Sequence, residues 1–165
     1  MKYLILLFAI FLSVSCCFIT KNSVVCECSD IRDLITRDES ENASEPIYSE
    51  GAGCERNVTC GFDESTYVRI YLHQSEIEFY DRPDWGMGYL DSMGSDSEIF
   101  GKPVNVFSYF GMVCEDGDWY ATKYPFGVYY ATKENWPNRV GLNGKVDGLK
   151  SLIAYIACKP PIKPA

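Results

Sequence analysis

The chain has 165 residues and carries 15 basic against 23 acidic side chains, a net charge of −8. That balance argues against nucleic acid or an anionic membrane surface as a partner. The length suits one domain. Aromatic residues make up 15% of the chain, tyrosine most of all, as packing in β-sheets would require.

Lys2 is followed by an apolar run over residues 3–14, "YLILLFAIFLSV", and then by Ser15, Cys16 and Cys17. A charge, an apolar stretch and a small-residue exit form a secretory signal peptide. A spanning helix needs about 20 apolar residues, and this run is shorter. Residues 1–17 are therefore read as a signal peptide, with cleavage after Ser15, Cys16 or Cys17 left open. A lipoprotein signal ending at Cys16 is a minor alternative, because Leu12 sits one position too far upstream. Removing residues 1–17 takes away Lys2 and no acid, so the mature net charge is −9.

The mature part reads as one secreted cysteine-rich domain over residues 18–158, followed by a flexible proline-rich tail, residues 159–165. A short strand is expected at residues 24–28. Ser29 then caps a short helix with Ile31, Leu34 and Ile35 on one face. Residues 38–53 are acidic and polar and read as a loop, with a brief strand at Ile47 and Tyr48. "ERNVTCGF" and "STYVRIYLHQ" are expected strands. In the second, Val68, Ile70 and Leu72 face one way, and Tyr67, Arg69, Tyr71 and His73 the other. "SEIEFYD" alternates too. Residues 81–103 are rich in Gly and Pro and read as a long surface loop. "VNVFSYFGMVC" is apolar on both faces and reads as a central strand. Asp116-Gly117 marks a hairpin turn, with "WYATKYP" as its return arm. "YATK" occurs at 120–123 and 130–133, too short a match to define a repeat. "GLNGKVDG" is a further turn, and "LKSLIAYIAC" the last strand. The fold class is all-β: a disulfide-stapled antiparallel β-sandwich or open barrel with one short N-terminal helix.

After signal cleavage six cysteines remain: Cys26, Cys28, Cys54, Cys60, Cys114 and Cys158. An even count in a secreted chain of this size reads as a disulfide framework. Zinc is disfavoured, because Cys26 and Cys28 are too close in sequence, Cys54 and Cys60 too far apart, and His73 is the only histidine. The two-residue spacing of thiol–disulfide enzymes does not occur. If residues 54–60 are extended, the ends lie roughly 20 Å apart, well beyond the reach of a disulfide. The economical pairing joins Cys26 and Cys28 to Cys54 and Cys60, and Cys114 to Cys158. Asn42 and Asn57 each begin a glycosylation sequon.

No catalytic residues, metal ligands or cofactors are assigned. His73 lies on the polar face of a strand, and neither a nucleophile elbow nor a phosphate- or dinucleotide-binding fingerprint occurs. Two acidic groups, Asp91, Asp96, Glu98 and Glu115, Asp116, Asp118, offer oxygens for calcium but match no calcium loop. Trp85, Trp119, Trp136 and the many tyrosines are candidates for stacking on sugar faces.

The cysteine order resembles a nematode secreted cysteine-rich domain of unknown function, the domain-of-unknown-function 281 type. The matching residues are Cys26-Glu27-Cys28, Gly53-Cys54, Val58-Thr59-Cys60, Cys114 through Trp119, and Ile156-Ala157-Cys158. The first pair has one intervening residue where that family usually has two, and residues 76–110 form a longer, more aromatic middle. The resemblance implies a lineage and no mechanism. The functional expectation is a secreted, non-catalytic binding or defence-related module, not an enzyme, whose partner is an extracellular protein or glycan. The alternative is a carbohydrate-binding module using exposed Trp and Tyr. After signal cleavage no membrane partner is expected.

Overall fold

The structure, a computed structural model, describes residues 25–36, 46–63, 65–80, 83, 86–92, 102–134, 137–159 and 161. The expected signal peptide, Asn42, Trp85, Trp136, the Asp96–Glu98 segment and most of the proline-rich tail lie outside them.

Among the described residues eleven strands form two sheets. They are β1 (Ile35–Thr36), β2 (Ile47–Glu50), β3 (Arg56–Gly61), β4 (Tyr67–Ser75), β5 (Met87–Asp91), β6 (Pro103–Asn105), β7 (Val113–Glu115), β8 (Asp118–Ala121), β9 (Val128–Tyr130), β10 (Asn138–Val140) and β11 (Ser151–Ala157). The large sheet runs β10-β9-β5-β4-β11-β8-β7, with β1 parallel to the C-terminal half of β11; the small sheet runs β2-β3-β6. All other pairings are antiparallel. Val58 and Cys60 of β3, Val68, Ile70 and Leu72 of β4, Leu90 of β5 and Ile153 and Ile156 of β11 all join one buried core. The fold is thus a disulfide-stapled all-β one, as the turn-punctuated alternation predicted.

Several elements differ from expectation. Residues 25–28 make no strand. The expected helix is one 3-10 turn, Ile31–Leu34, capped by Asp30 rather than Ser29; the Arg32 amide donates to Asp30 Oδ1 at 2.9 Å. Residues 76–80 do not extend β4, and the 81–103 region contains β5. Gly88 is the reason. A Cβ there would come within 2.7 Å of Leu72 Cδ2 and 2.9 Å of the Tyr129 carbonyl oxygen. This glycine marks a close approach of neighbouring strands, not a turn.

The stretch read as one central strand is instead strand, helical turn and strand. Helix α1 (Val106–Tyr109) separates β6 from β7. Asn105 caps it, accepting from Phe107 N at 3.1 Å, and Gly111 ends the turn at φ 56°. The same Asn105 oxygen also accepts from Val58 N at 3.2 Å, tying the turn to β3. The expected hairpin between β7 and β8 is present, with Asp116 and Gly117 both at positive φ.

The disulfides are Cys26–Cys54, Cys28–Cys114 and Cys60–Cys158, with Cα separations of 4.7, 5.9 and 5.4 Å. The Cys114–Cys158 pairing expected from strand ends is therefore corrected, and so is a bond from Cys28 to the 54–60 segment. The cause is topology. β8 lies between β7 and β11, which separates those two strands by roughly 10 Å, two interstrand spacings, beyond disulfide reach. Cys158 instead leaves β11 beside β3, where Gly61 N donates to the Lys159 carbonyl at 2.6 Å. Cys28 is brought to the hairpin by Trp119, whose indole N–H donates to the Ser29 carbonyl at 2.9 Å.

Candidate functional site

The register of the large sheet sets five outward side chains in one row across five strands. Tyr155 of β11 lies opposite Arg69 of β4. Arg69 lies opposite Tyr89 of β5, Tyr89 opposite Tyr129 of β9, and Tyr129 opposite Arg139 of β10. At the interstrand spacing of about 4.8 Å the row is roughly 19 Å long. Tyr67 and Asp91 occupy the next row on one side, and Tyr71 and Met87 the row on the other.

Alternation places these side chains outside. Val68, Ile70, Leu90, Val128 and Tyr130, their chain neighbours, are buried. β11 reaches the same face through an irregularity. Its register shifts between Ser151 and Ile153 and again between Ile153 and Tyr155. Ile153 and Ile156 are consequently both buried although three apart, and Tyr155 is turned outward. A bulge changes the phase of a strand in this way.

The rings stand on edge. Tyr89 and Tyr129 stack with centroids 4.9 Å apart and planes 5° apart. That separation equals the strand spacing, so the ring faces look along the sheet and the ring edges look out. The Arg139 guanidinium lies 3.9 Å from the Tyr129 centroid, which places Tyr129 between a ring and a cation. The Arg69 guanidinium is 5.2 Å from the Tyr89 centroid and 5.6 Å from that of Tyr67. Tyr67 makes edge contacts with Tyr89 at 6.1 Å and Tyr155 at 6.3 Å. Such cation–π contacts each contribute about 0.5–1 kcal/mol at exposed sites and hold the long arginine side chains in place.

Two tyrosine hydroxyls on this face titrate above the ordinary phenol range. Burial, and next its neighbour Tyr155, push the Tyr67 hydroxyl above the usual phenol range. Burial and the Asp91 carboxylate do the same for Tyr89. Both stay protonated at neutral pH. Among the described residues the ion pairs are Arg32–Asp30, Lys150–Glu115 and Lys159–Asp63. Arg69 and Arg139 belong to none of them, and Arg69 Nε is buried without a hydrogen-bond acceptor.

The residues singled out in the sequence fall elsewhere. Trp119 is 2% exposed and packs edge-on against Phe107, with centroids 5.8 Å apart. It is a core residue, so the expectation that it stacks on a sugar is corrected. Asn57 lies half-buried on β3, where its Oδ1 accepts from Thr59 Oγ1 at 2.7 Å. His73 is exposed beside Tyr71 and lines a shallow pocket with Glu76, Glu115, Asp116 and Lys150. There Glu115 already pairs with Lys150 at 2.6 Å. The sulfurs of Cys26, Cys28 and Cys114 lie within 4.8 Å of one another, but all three are held in disulfides. Sequence reading found Tyr67, Arg69 and Tyr71 on one face of β4. It missed the partners on β5, β9, β10 and β11, because alternation identifies a face but not which strands adjoin it.

Residues 24–158 match the family described as TRA-1 regulated protein R03H10.4. No curated protein and no solved structure matches the chain. The match agrees with the nematode cysteine-rich lineage that the cysteine order implied, under a different description from the domain-of-unknown-function 281 type. Because it spans well over half of the sequence, the chain belongs to the TRA-1 regulated protein R03H10.4 family.

Proposed function

We propose that the protein is a secreted, non-catalytic binding module that meets an extracellular ligand with the outer face of its large sheet. The observation that carries this reading is the row Tyr155, Arg69, Tyr89, Tyr129 and Arg139. Acids outnumber bases by 23 to 15 in this chain, yet two arginines of this row are in no ion pair among the described residues. They are held instead by aromatic rings, and Arg69 also lies in hydrogen-bonding range of the Tyr67 hydroxyl; Arg139 is exposed and offers its donors to a ligand. Three disulfides suit an oxidising, extracellular setting. Recognition by the edges of the row is favoured over a sugar stacked on a ring face, because the facing sides of Tyr89 and Tyr129 cover one another. In this reading Asn57 carries a glycan on the small sheet, away from the row.

The test is surface labelling of nematode tissue with the fluorescently tagged secreted protein. An Arg69→Gln/Arg139→Gln variant should lose the labelling that wild type and a Lys123→Gln/Lys145→Gln control show. Wild-type labelling by a folded row variant would overturn the reading. Arg139 is exposed, so Arg139→Gln alone provides a variant that leaves the core untouched.

A further inference from the structure

Resting on that binding reading, we infer that the ligand is a linear acidic polysaccharide, laid across the strands with carboxylate or sulfate groups at Arg69 and Arg139. A guanidinium presents a planar fork of donors that matches a carboxylate or sulfate with two parallel hydrogen bonds. This row holds two such forks, neither in an ion pair among the described residues; the Arg69 Nε is buried, so Arg69 meets an anion through its terminal nitrogens. The row crosses five strands and spans roughly 19 Å at the usual strand spacing. Its two arginines lie three strands apart, roughly 14 Å. A polymer with regularly spaced anions meets both at once, and a small anion meets one.

Tyrosine and arginine also anchor protein interfaces, where they enter desolvated pockets. Here the stacked rings of Tyr89 and Tyr129 turn their edges outward, a presentation that suits hydrogen bonding along an extended chain better than insertion into a pocket. The hydroxyls of Tyr129 and Tyr155 add neutral donors along the same line, suited to sugar hydroxyl and ring oxygens.

Binding of the full secreted protein to immobilised heparin, hyaluronan and neutral dextran decides the matter. Wild type should bind heparin or hyaluronan and not dextran. Arg139→Gln should weaken that binding at least tenfold, and Arg69→Gln/Arg139→Gln should abolish it, with near-ultraviolet circular dichroism unchanged. Arg139→Lys keeps the charge but not the fork, and should bind less tightly than wild type. Equal binding to dextran, or acidic-polysaccharide binding indifferent to both arginines, would overturn the inference. So would failure to bind any of the three while tissue labelling still depends on Arg69 and Arg139; in that case the binding face stands and its ligand is of another class.

Discussion

Replacing Trp119 by phenylalanine should destabilise the protein without touching ligand binding. Trp119 is 2% exposed, and its indole N–H donates to the Ser29 carbonyl at 2.9 Å. Phenylalanine keeps the edge contact with Phe107 but forfeits the hydrogen bond, about 1 kcal/mol. The smaller ring also leaves unfilled space beside the β7–β8 hairpin, for roughly another 1–2 kcal/mol. The expected total is about 2–3 kcal/mol, and Trp119→Ala should lose more, about 3–5 kcal/mol. Urea unfolding with the disulfides intact measures this as a lower midpoint at unchanged slope. An unaltered midpoint combined with lost binding would refute the reasoning, because it would make Trp119 a ligand contact instead of a core residue.

Three further outcomes follow from the same structure. Peptide mapping under non-reducing conditions should recover Cys26–Cys54, Cys28–Cys114 and Cys60–Cys158; a Cys114–Cys158 peptide would contradict the strand order. Gly88→Ala should destabilise by about 1–3 kcal/mol in the same urea assay, through overpacking against Leu72 and the Tyr129 backbone, and a neutral result would mean that β5 and β9 are not closely apposed. Asp63→Asn should cost about 1–2 kcal/mol at pH 7, since burial raises the Asp63 carboxyl but its hydrogen bonds from Ser65 and the Lys159 ammonium outweigh that and hold it below the usual range. A depressed folded pKa stabilises above the unfolded value, near 3.9, and loses that contribution as pH falls through the folded one. The gap between wild type and Asp63→Asn should therefore close in acid, and a gap that widened there would reverse the assignment.

The all-β class was legible because alternation in residues 67–73 and the turn at Asp116-Gly117 are local signals. Where β-branched and aromatic content competed with capping chemistry, the sequence misled: Asn105 and Gly111 bracket a helical turn, but the residues between them favour strands. Gly88 has the opposite ambiguity, since a glycine required by a neighbouring backbone looks the same as one required by a turn. Tyr155 could not have been placed on the outer face at all. Only the register shifts in β11 turn it there, and a bulge leaves no compositional mark in "SLIAYIA". The row itself is a product of strand order, and strand order also decided the disulfides.

The central claim is that ligand is gripped by Arg69 and Arg139 on the outer sheet face. Nitrogen-15 NMR of the arginine Nε–Hε groups during titration with a heparin oligosaccharide tests it most directly. The account predicts that the Arg69 and Arg139 signals move together and saturate, while those of Arg32 and Arg56, on other elements, stay in place. Binding that shifts Arg32 or Arg56 and leaves Arg69 and Arg139 unmoved would contradict it.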